Sequence, residues 1–277
     1  MDQDLQDIAN KIIKYLDQKN IQYCDVRADQ QIKNSALIEN NDIEYIKNNE
    51  NKGIGVRLIK NGTWSFCSIT NPNSFDKIKN ILDNTIKNLD YKNIKNKKIK
   101  LHSNPANKRE INFPVLKKTD IEELIKTGLE CNKIISSTPK IIKSITHASH
   151  TTNSKYFVNS EGSEILQNFT DVIMEMVATA HESGQTQSVN ITEGGRGGLE
   201  LITNKIQQSA KEISKKASEL IYAKPVKEEK ATVVMNPDFV SLLTHEILGH
   251  PSEADRVLGK EMAWAGGAWW KGKIGEK

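Results

Sequence analysis

Residues 244–255 read THEILGHPSEAD and hold the side chains best suited to chemistry: His245, Glu246 and His250. Two neutral imidazoles suit Zn²⁺, and a carboxylate beside them can deprotonate a water held at the metal for attack on a carbonyl. Zinc hydrolases usually carry such histidines four apart on one helix; here they are five apart. At about 100° per residue the two imidazoles would stand about 140° apart on a regular helix, while Glu246 and His250 would share a face. Both rings reach one ion only if the backbone rewinds through a π-bulge or the helix ends between them. Gly249 offers backbone freedom and Pro251 disfavours the α conformation at His250. The competing reading makes Glu246 and His250 a helix-face ion pair and leaves His245 on the surface.

The remaining candidates are weaker. His147 and His150 sit three apart in an expected strand, so they point to opposite faces. His102 and His181 stand alone and are read as structural or surface residues. Cys24, Cys67 and Cys131 form no CxxC pair; they suit a reducing compartment and read as core or strand residues. GGRGG at residues 194–198 matches neither a P-loop nor a dinucleotide fingerprint and reads as a loop. Trp264, Trp269 and Trp270 are candidates for an interface, a peptide groove or burial under a further domain.

The elements that must position these residues follow from periodicity. Leu5, Ile8, Ile12 and Leu16 recur at helical spacing over residues 4–19. Loose alternation over 22–47 predicts antiparallel strands. Asn61-Gly62 predicts a type I′ hairpin over 54–69. Phe75, Ile78, Leu82 and Ile86 mark a helix from Ser74 to about Leu89. The lysine- and asparagine-rich run Tyr91 to Lys100 reads as a connector. Beyond it, Thr119 to Glu122 reads as a capping box opening a helix to about Ser136. Three strands are expected next, with a turn at Ser160 to Ser163, then a long polar loop over ESGQTQSVNITEGGRGG and a helix over 199–222. ATVVMN reads as a buried strand, and Asn236 with Pro237 opens the helix carrying the histidines.

The fold class expected is α+β, with antiparallel sheets flanked by helices. The expected domains are an N-terminal α+β domain at 1–95, a central α+β domain at 96–225, and at 226–277 the start of a third, metallopeptidase domain. About fifty residues fall short of the ~70–80 that form an independent core without staples, so this last unit reads as cut short. A surplus of +4 from 39 basic and 35 acidic residues is too weak to indicate nucleic acid. The acidic, interrupted N-terminus is neither a signal nor a transit peptide, and no apolar run approaches the ~18 residues of a membrane span. A cytoplasmic protein is expected.

The strand, Asn-Pro and helix that lead into HEILGHPSEAD resemble the TldD/PmbA family of metallopeptidases, also called modulators of DNA gyrase. GIGVRLIKNGTWSFCS looks like the family's N-terminal hairpin, and VNSEGSEILQNF with GGRGGLEL looks like its central domain. The resemblance runs from about Val26 to Trp270. It implies a zinc-dependent peptidase acting on cytoplasmic peptides, with His245 and His250 as metal ligands and Glu246 as catalytic base. It also implies a homodimer, or a heterodimer with a TldE/PmbA-like subunit. That subunit type lacks the motif, so this chain looks TldD-like. Family members are longer and take their third zinc ligand from a C-terminal cysteine, whereas all three cysteines here lie far upstream. The chain is therefore expected to be a fragment or to be completed by a second polypeptide, with Glu253 as a substitute oxygen ligand the lesser option. The alternative function is a truncated, non-catalytic binding or regulatory subunit.

Overall fold

The computed structural model describes residues 1–91, 101–102, 104–202, 205–259, 261–262 and 266–273. They belong to two compact units, Met1–Ala223 and Lys224–Lys277. The expected connector falls almost wholly on residues 92–100, outside the described set. No helix among the described residues is long and apolar enough to cross a membrane.

The first unit is built on one sheet, and its class is α+β. In chain order it comprises α1 (Gln3–Asp17), β1 (Tyr23–Glu39), β2 (Asp42–Lys60), β3 (Thr63–Thr70), α2 (Phe75–Tyr91), β4 (Lys108–Asn112), α3 (Ile121–Ser136), β5 (Ile141–Asn159), β6 (Glu164–Glu182), β7 (Gln185–Arg196) and α4 (Lys205–Leu220). The strands lie in the order β3-β2-β1-β5-β6-β4, with β7 also paired to β6. Pairing is antiparallel except for β4, which runs parallel to the start of β6. Strands from both sides of residue 95 therefore share one sheet, β1 pairing with β5 from Asp25↔Asn159 to Glu39↔Ile145.

Alternation decides which side of this sheet is covered. Cys24, Val26 and Ala28 of β1, Ile54, Val56 and Leu58 of β2, and Tyr156 and Val158 of β5 pack against Leu5, Ile12 and Leu16 of α1 and Ile78 and Leu82 of α2. Ala148 lies eight residues before Tyr156 on the same strand, hence on the same face. It joins Val172, Met174 and Met176 of β6 under Leu124 and Ile135 of α3 and Ile206 and Ile213 of α4. Both helical layers thus cover one face. The opposite face carries cations laid over aromatic rings, Arg57 over Trp64 and Arg27 over Phe157. Asp25, buried on that face, receives the Nε and Nη2 of Arg57 at 2.8 and 2.7 Å.

Polar groups in the interior are paired as well, with the Thr119 hydroxyl as an exception. The Oδ1 of buried Asn132 on α3 accepts from the Asn41 amide at 2.8 Å and the Ser144 hydroxyl at 2.9 Å, and its Nδ2 donates to the Ile38 carbonyl at 3.3 Å. This ties the β1–β2 turn to the helix; a buried amide left without such partners would cost roughly 1–3 kcal/mol.

Several local expectations change. Asn61 and Gly62 do take positive φ, 53° and 74°, at the predicted hairpin. Asp120, not Thr119, caps α3 by accepting from the Glu122 amide at 2.9 Å. Asp120, extended at φ −105°, is placed to meet the free amides of the first turn. The three expected strands after α3 are two long ones, β5 and β6, around the turn expected at 160–163. Most of the expected polar loop is strand β7. Positive φ at Ser183 and Gly184 closes a tight turn, and Val189 and Ile191 alternate onto the second core. Four apolar or glycine positions among polar neighbours disguised a half-buried edge strand as a loop. At Gly194 (φ +120°) a Cβ would stand 2.0 Å from the Val172 carbonyl oxygen, so only glycine lets β7 approach β6 there.

In the second unit, residues 224–235 carry no regular structure, and Val233 and Val234 are 71% and 94% exposed. ATVVMN is thus not a buried strand here: no described strand pairs with it, and an apolar run becomes a strand only where a neighbour completes its hydrogen-bond ladder. Helix α5 (Pro237–Thr244) follows, and the unit ends its regular structure with α6 (Ala254–Val257).

Candidate metal centre

The helix carrying the histidines starts as its first residues dictate. Asn236 is extended, its Oδ1 accepts from the Phe239 amide at 2.9 Å, and Pro237 occupies the first turn, where an N–H would have no partner. After Thr244 the helix widens. Residues His245–Gly249 form a π-helical turn in which the His250 amide bonds to the His245 carbonyl. Closing the ring over five residues instead of four brings side chains five apart onto one face, which an α-turn would separate by about 140°. The two imidazole rings lie 4.6 Å apart, inclined at 75°.

The cause of the widening differs from the one expected. Gly249 has ordinary right-handed angles (φ −64°, ψ −63°). A Cβ there would stand 3.6 Å from His245, in ordinary contact, so the turn does not require glycine. His250 is itself helical (φ −59°, ψ −46°) despite the proline that follows. What Pro251 does is remove an amide, so the ladder cannot continue and the helix tightens into a 3₁₀ turn at His250–Ser252. Ser252 closes that turn by donating its hydroxyl to the Leu248 carbonyl.

His245, Glu246 and His250 each present a ligand atom, and these atoms all lie within 4.8 Å of one another, the group among the described residues best arranged to hold a cation. Two imidazoles and a carboxylate are a donor set that fits a borderline divalent ion such as Zn²⁺. The Glu246 Oε2 lies 3.8 Å from the His250 Nε2, so the helix-face ion pair of the competing reading is present too. A pair at i,i+4 does not account for His245 turning onto the same face; the π turn does.

Glu253 is placed differently from a ligand. Its Oε1 lies 3.0 Å from the His250 Nδ1, and its Oε2 takes the Arg256 Nε at 2.6 Å. Hydrogen bonds from Arg256 and then from His250 hold its carboxyl below the usual glutamate range. Arg256 is 4% exposed and its Nη1 donates to the Gly266 carbonyl at 2.9 Å. Arg256 escaped the sequence reading; the available signal was its i+3 spacing from Glu253 at the start of a helix.

The other candidates stand apart. His147 meets Glu175 at 3.4 Å on the open face of the sheet, while His150 lies on the helix-covered face near Thr152. His181 contacts Thr186 at 2.8 Å. Cys24 and Cys131 are buried in the two cores of the first unit, and burial pushes both thiols up to about 12. A protonated, apolar-packed thiol is a poor metal ligand. Trp269 and Trp270 stack edge to face at 4.5 Å.

Comparison with known proteins bears on the family and the fold. Family models described as PmbA/TldA metallopeptidase domain 1 and PmbA/TldA metallopeptidase central domain match residues 24–89 and 114–223. A metalloprotease of Methanocaldococcus jannaschii is 30% identical over 260 residues, 92% of this chain and 55% of that protein. A zinc metalloprotease TldD homolog of Saccharolobus solfataricus is 25% identical over 251 residues, 90% of this chain and 54% of that protein. The chain spans about half the length of the curated relatives it matches. Among solved structures, a candidate modulator of DNA gyrase from Bacteroides thetaiotaomicron superposes with a TM-score of 0.77 at 16% identity, covering 93% of this chain and 59% of that one. TldE from Thermococcus kodakarensis gives 0.58 at 14%, covering 77% and 47%. At such identities these two speak for the fold alone.

Proposed function

Because the chain belongs to the PmbA/TldD metallopeptidase family, we propose that it carries the metal-binding half of a zinc peptidase site, with His245 and His250 as ligands and Glu246 as general base. The observation that carries this reading is the π turn, which gathers three donors onto one helix face. Bound there, Zn²⁺ would supply Lewis acidity to the attacking water and the scissile carbonyl. The chain's own part is proton transfer and orientation. Glu246, half-exposed at the helix surface, would take the proton of the attacking water and pass it to the leaving amine. His245 and His250 would hold their ring planes through the turn that links their backbones.

The substrate class proposed is peptides of the cytoplasm. The partner proposed is a second copy or a TldE/PmbA-like subunit, supported by the fold shared with TldE. Segments 1–95, 96–225 and 226–277 are read as N-terminal domain, central domain and start of the metallopeptidase domain. Two protein ligands do not complete a tetrahedral site, and buried Cys24 and Cys131 do not supply a third. In a longer, active form, Glu246→Gln should retain zinc and lose hydrolysis, and peptidase activity near wild type would sink the general-base role. A second reading, a non-catalytic binding or regulatory subunit, draws on the burial of Cys24 and Cys131, which removes them as third ligands. Tight one-to-one zinc binding with peptide cleavage by these 277 residues alone would exclude it.

A further inference from the structure

The ligand and base roles leave the carboxylate of Glu253 unassigned, yet both of its oxygens are engaged. One oxygen meets the His250 Nδ1 at 3.0 Å, and the other meets the Arg256 Nε at 2.6 Å. Arg256 is itself anchored, nearly fully buried and donating to the Gly266 carbonyl. A continuous chain of contacts therefore runs from Gly266 through Arg256 and Glu253 to the imidazole.

We propose that Glu253, braced by Arg256, is a positioning residue that fixes His250 in the tautomer with hydrogen on Nδ1 and directs Nε2 to the metal. The inference rests on His250 being a metal ligand, as proposed above. An ionised carboxylate can only accept, so the ring nitrogen facing it must carry the proton. With Nδ1 engaged, Nε2 is the nitrogen turned toward Glu246, at 3.8 Å. The carboxylate partner also restrains ring rotation and raises the basicity of the ligating nitrogen, the usual work of an acid behind a metal-bound histidine. Both Glu253 oxygens already have partners, which sets it apart from a direct ligand.

The test uses the 277-residue chain with two readouts. Long-range ¹⁵N spectra of the metal-free protein report the His250 tautomer, and competition with a chromophoric chelator reports Zn²⁺ affinity. Wild type should show hydrogen on Nδ1. Glu253→Ala should lose that preference and bind Zn²⁺ about 10–100-fold more weakly. Glu253→Gln, whose amide oxygen still accepts, should restore most of both. Circular dichroism matching wild type confirms that the helices persist, and the conservative Gln variant keeps the test open if Ala disturbs the turn. An unchanged tautomer in Glu253→Ala overturns the proposal. So does a Glu253→Gln variant as impaired in zinc binding as Glu253→Ala while its tautomer stays intact, because a direct ligand behaves that way. Failure of the metal reading looks different: His245→Ala and His250→Ala would leave Zn²⁺ affinity at the wild-type value, while the tautomer still responded to Glu253.

Discussion

Helix α1 buries Leu5, Ala9, Ile12, Ile13 and Leu16, whereas α5, the more apolar of the two in composition, buries none of its residues. The same contrast holds between the units that contain them. The first has two apolar cores under one sheet and a buried amide, Asn132, paired across it. The second leaves Phe239, Leu242 and Ile247 exposed, yet it holds His245, Glu246 and His250. An apolar stripe becomes a core only where another surface covers it, and α1 has the sheet beneath it. What organises the second unit is polar: the Asn236 cap, the π turn, and the Arg256 contacts to Glu253 and Gly266. Scaffold and candidate site are thus carried by different stretches of chain, held together by different forces.

That division can be broken at several points. The largest effect expected is chemical. In a longer form that cleaves peptides, Glu246→Gln should lower the rate by about 10²–10⁴ with zinc retained. Steady-state kinetics with metal analysis would check it, and comparable loss from the open-face Arg27→Gln would show that the first unit shares the chemistry. Next comes the core. Leu124→Ala should cost about 2–5 kcal/mol of stability in urea denaturation. Leu242→Ala, on exposed α5, should stay within about 0.5 kcal/mol. Equal costs would mean that α5 is packed in solution after all. Asn236→Ala should destabilise the helix start by about 1 kcal/mol, read as faster amide exchange over residues 238–240.

The smallest effect separates the units by pH. Desolvation pushes the Glu200 carboxyl up, but the amides of Gly198, Lys117, Glu200 and Leu116 outweigh it and bring its pKa down to about 2. A lowered folded-state pKa stabilises above the unfolded value of 4.5 and is lost as pH falls from there toward 2. Because Glu200 is largely exposed, solvent screening keeps the contribution small. Glu200→Gln should flatten this part of the acid titration of the first unit's thermal midpoint; an unaltered profile would mean the amides contribute nothing measurable.

Much of the scaffold was legible residue by residue. Helical spacing located α1, α2 and α4, a capping signal located α3, and Asn61-Gly62 located the hairpin, because these signals depend on local backbone geometry. β7 was missed, since glycines and polar residues on its exposed face mask the alternation of Val189 and Ile191. ATVVMN misled in the other direction, because its apolar content says nothing about whether a neighbouring strand exists. At the site, the residue types and the need for a rewound helix could be read from spacing. The part played by Gly249 could not, nor could the partnership of Glu253 with His250, which depends on where Arg256 is anchored.

By itself, the sequence determined the identity of the donors, the capped start of their helix and the family resemblance, because each is written in residues close together along the chain. Only the tertiary structure decided that strands on both sides of residue 95 form one sheet with its helices on one face. It also decided that a π turn, ended by a proline without an amide, brings two histidines five apart onto a common face. Those outcomes depend on hydrogen bonds whose partners no spacing rule identifies in advance.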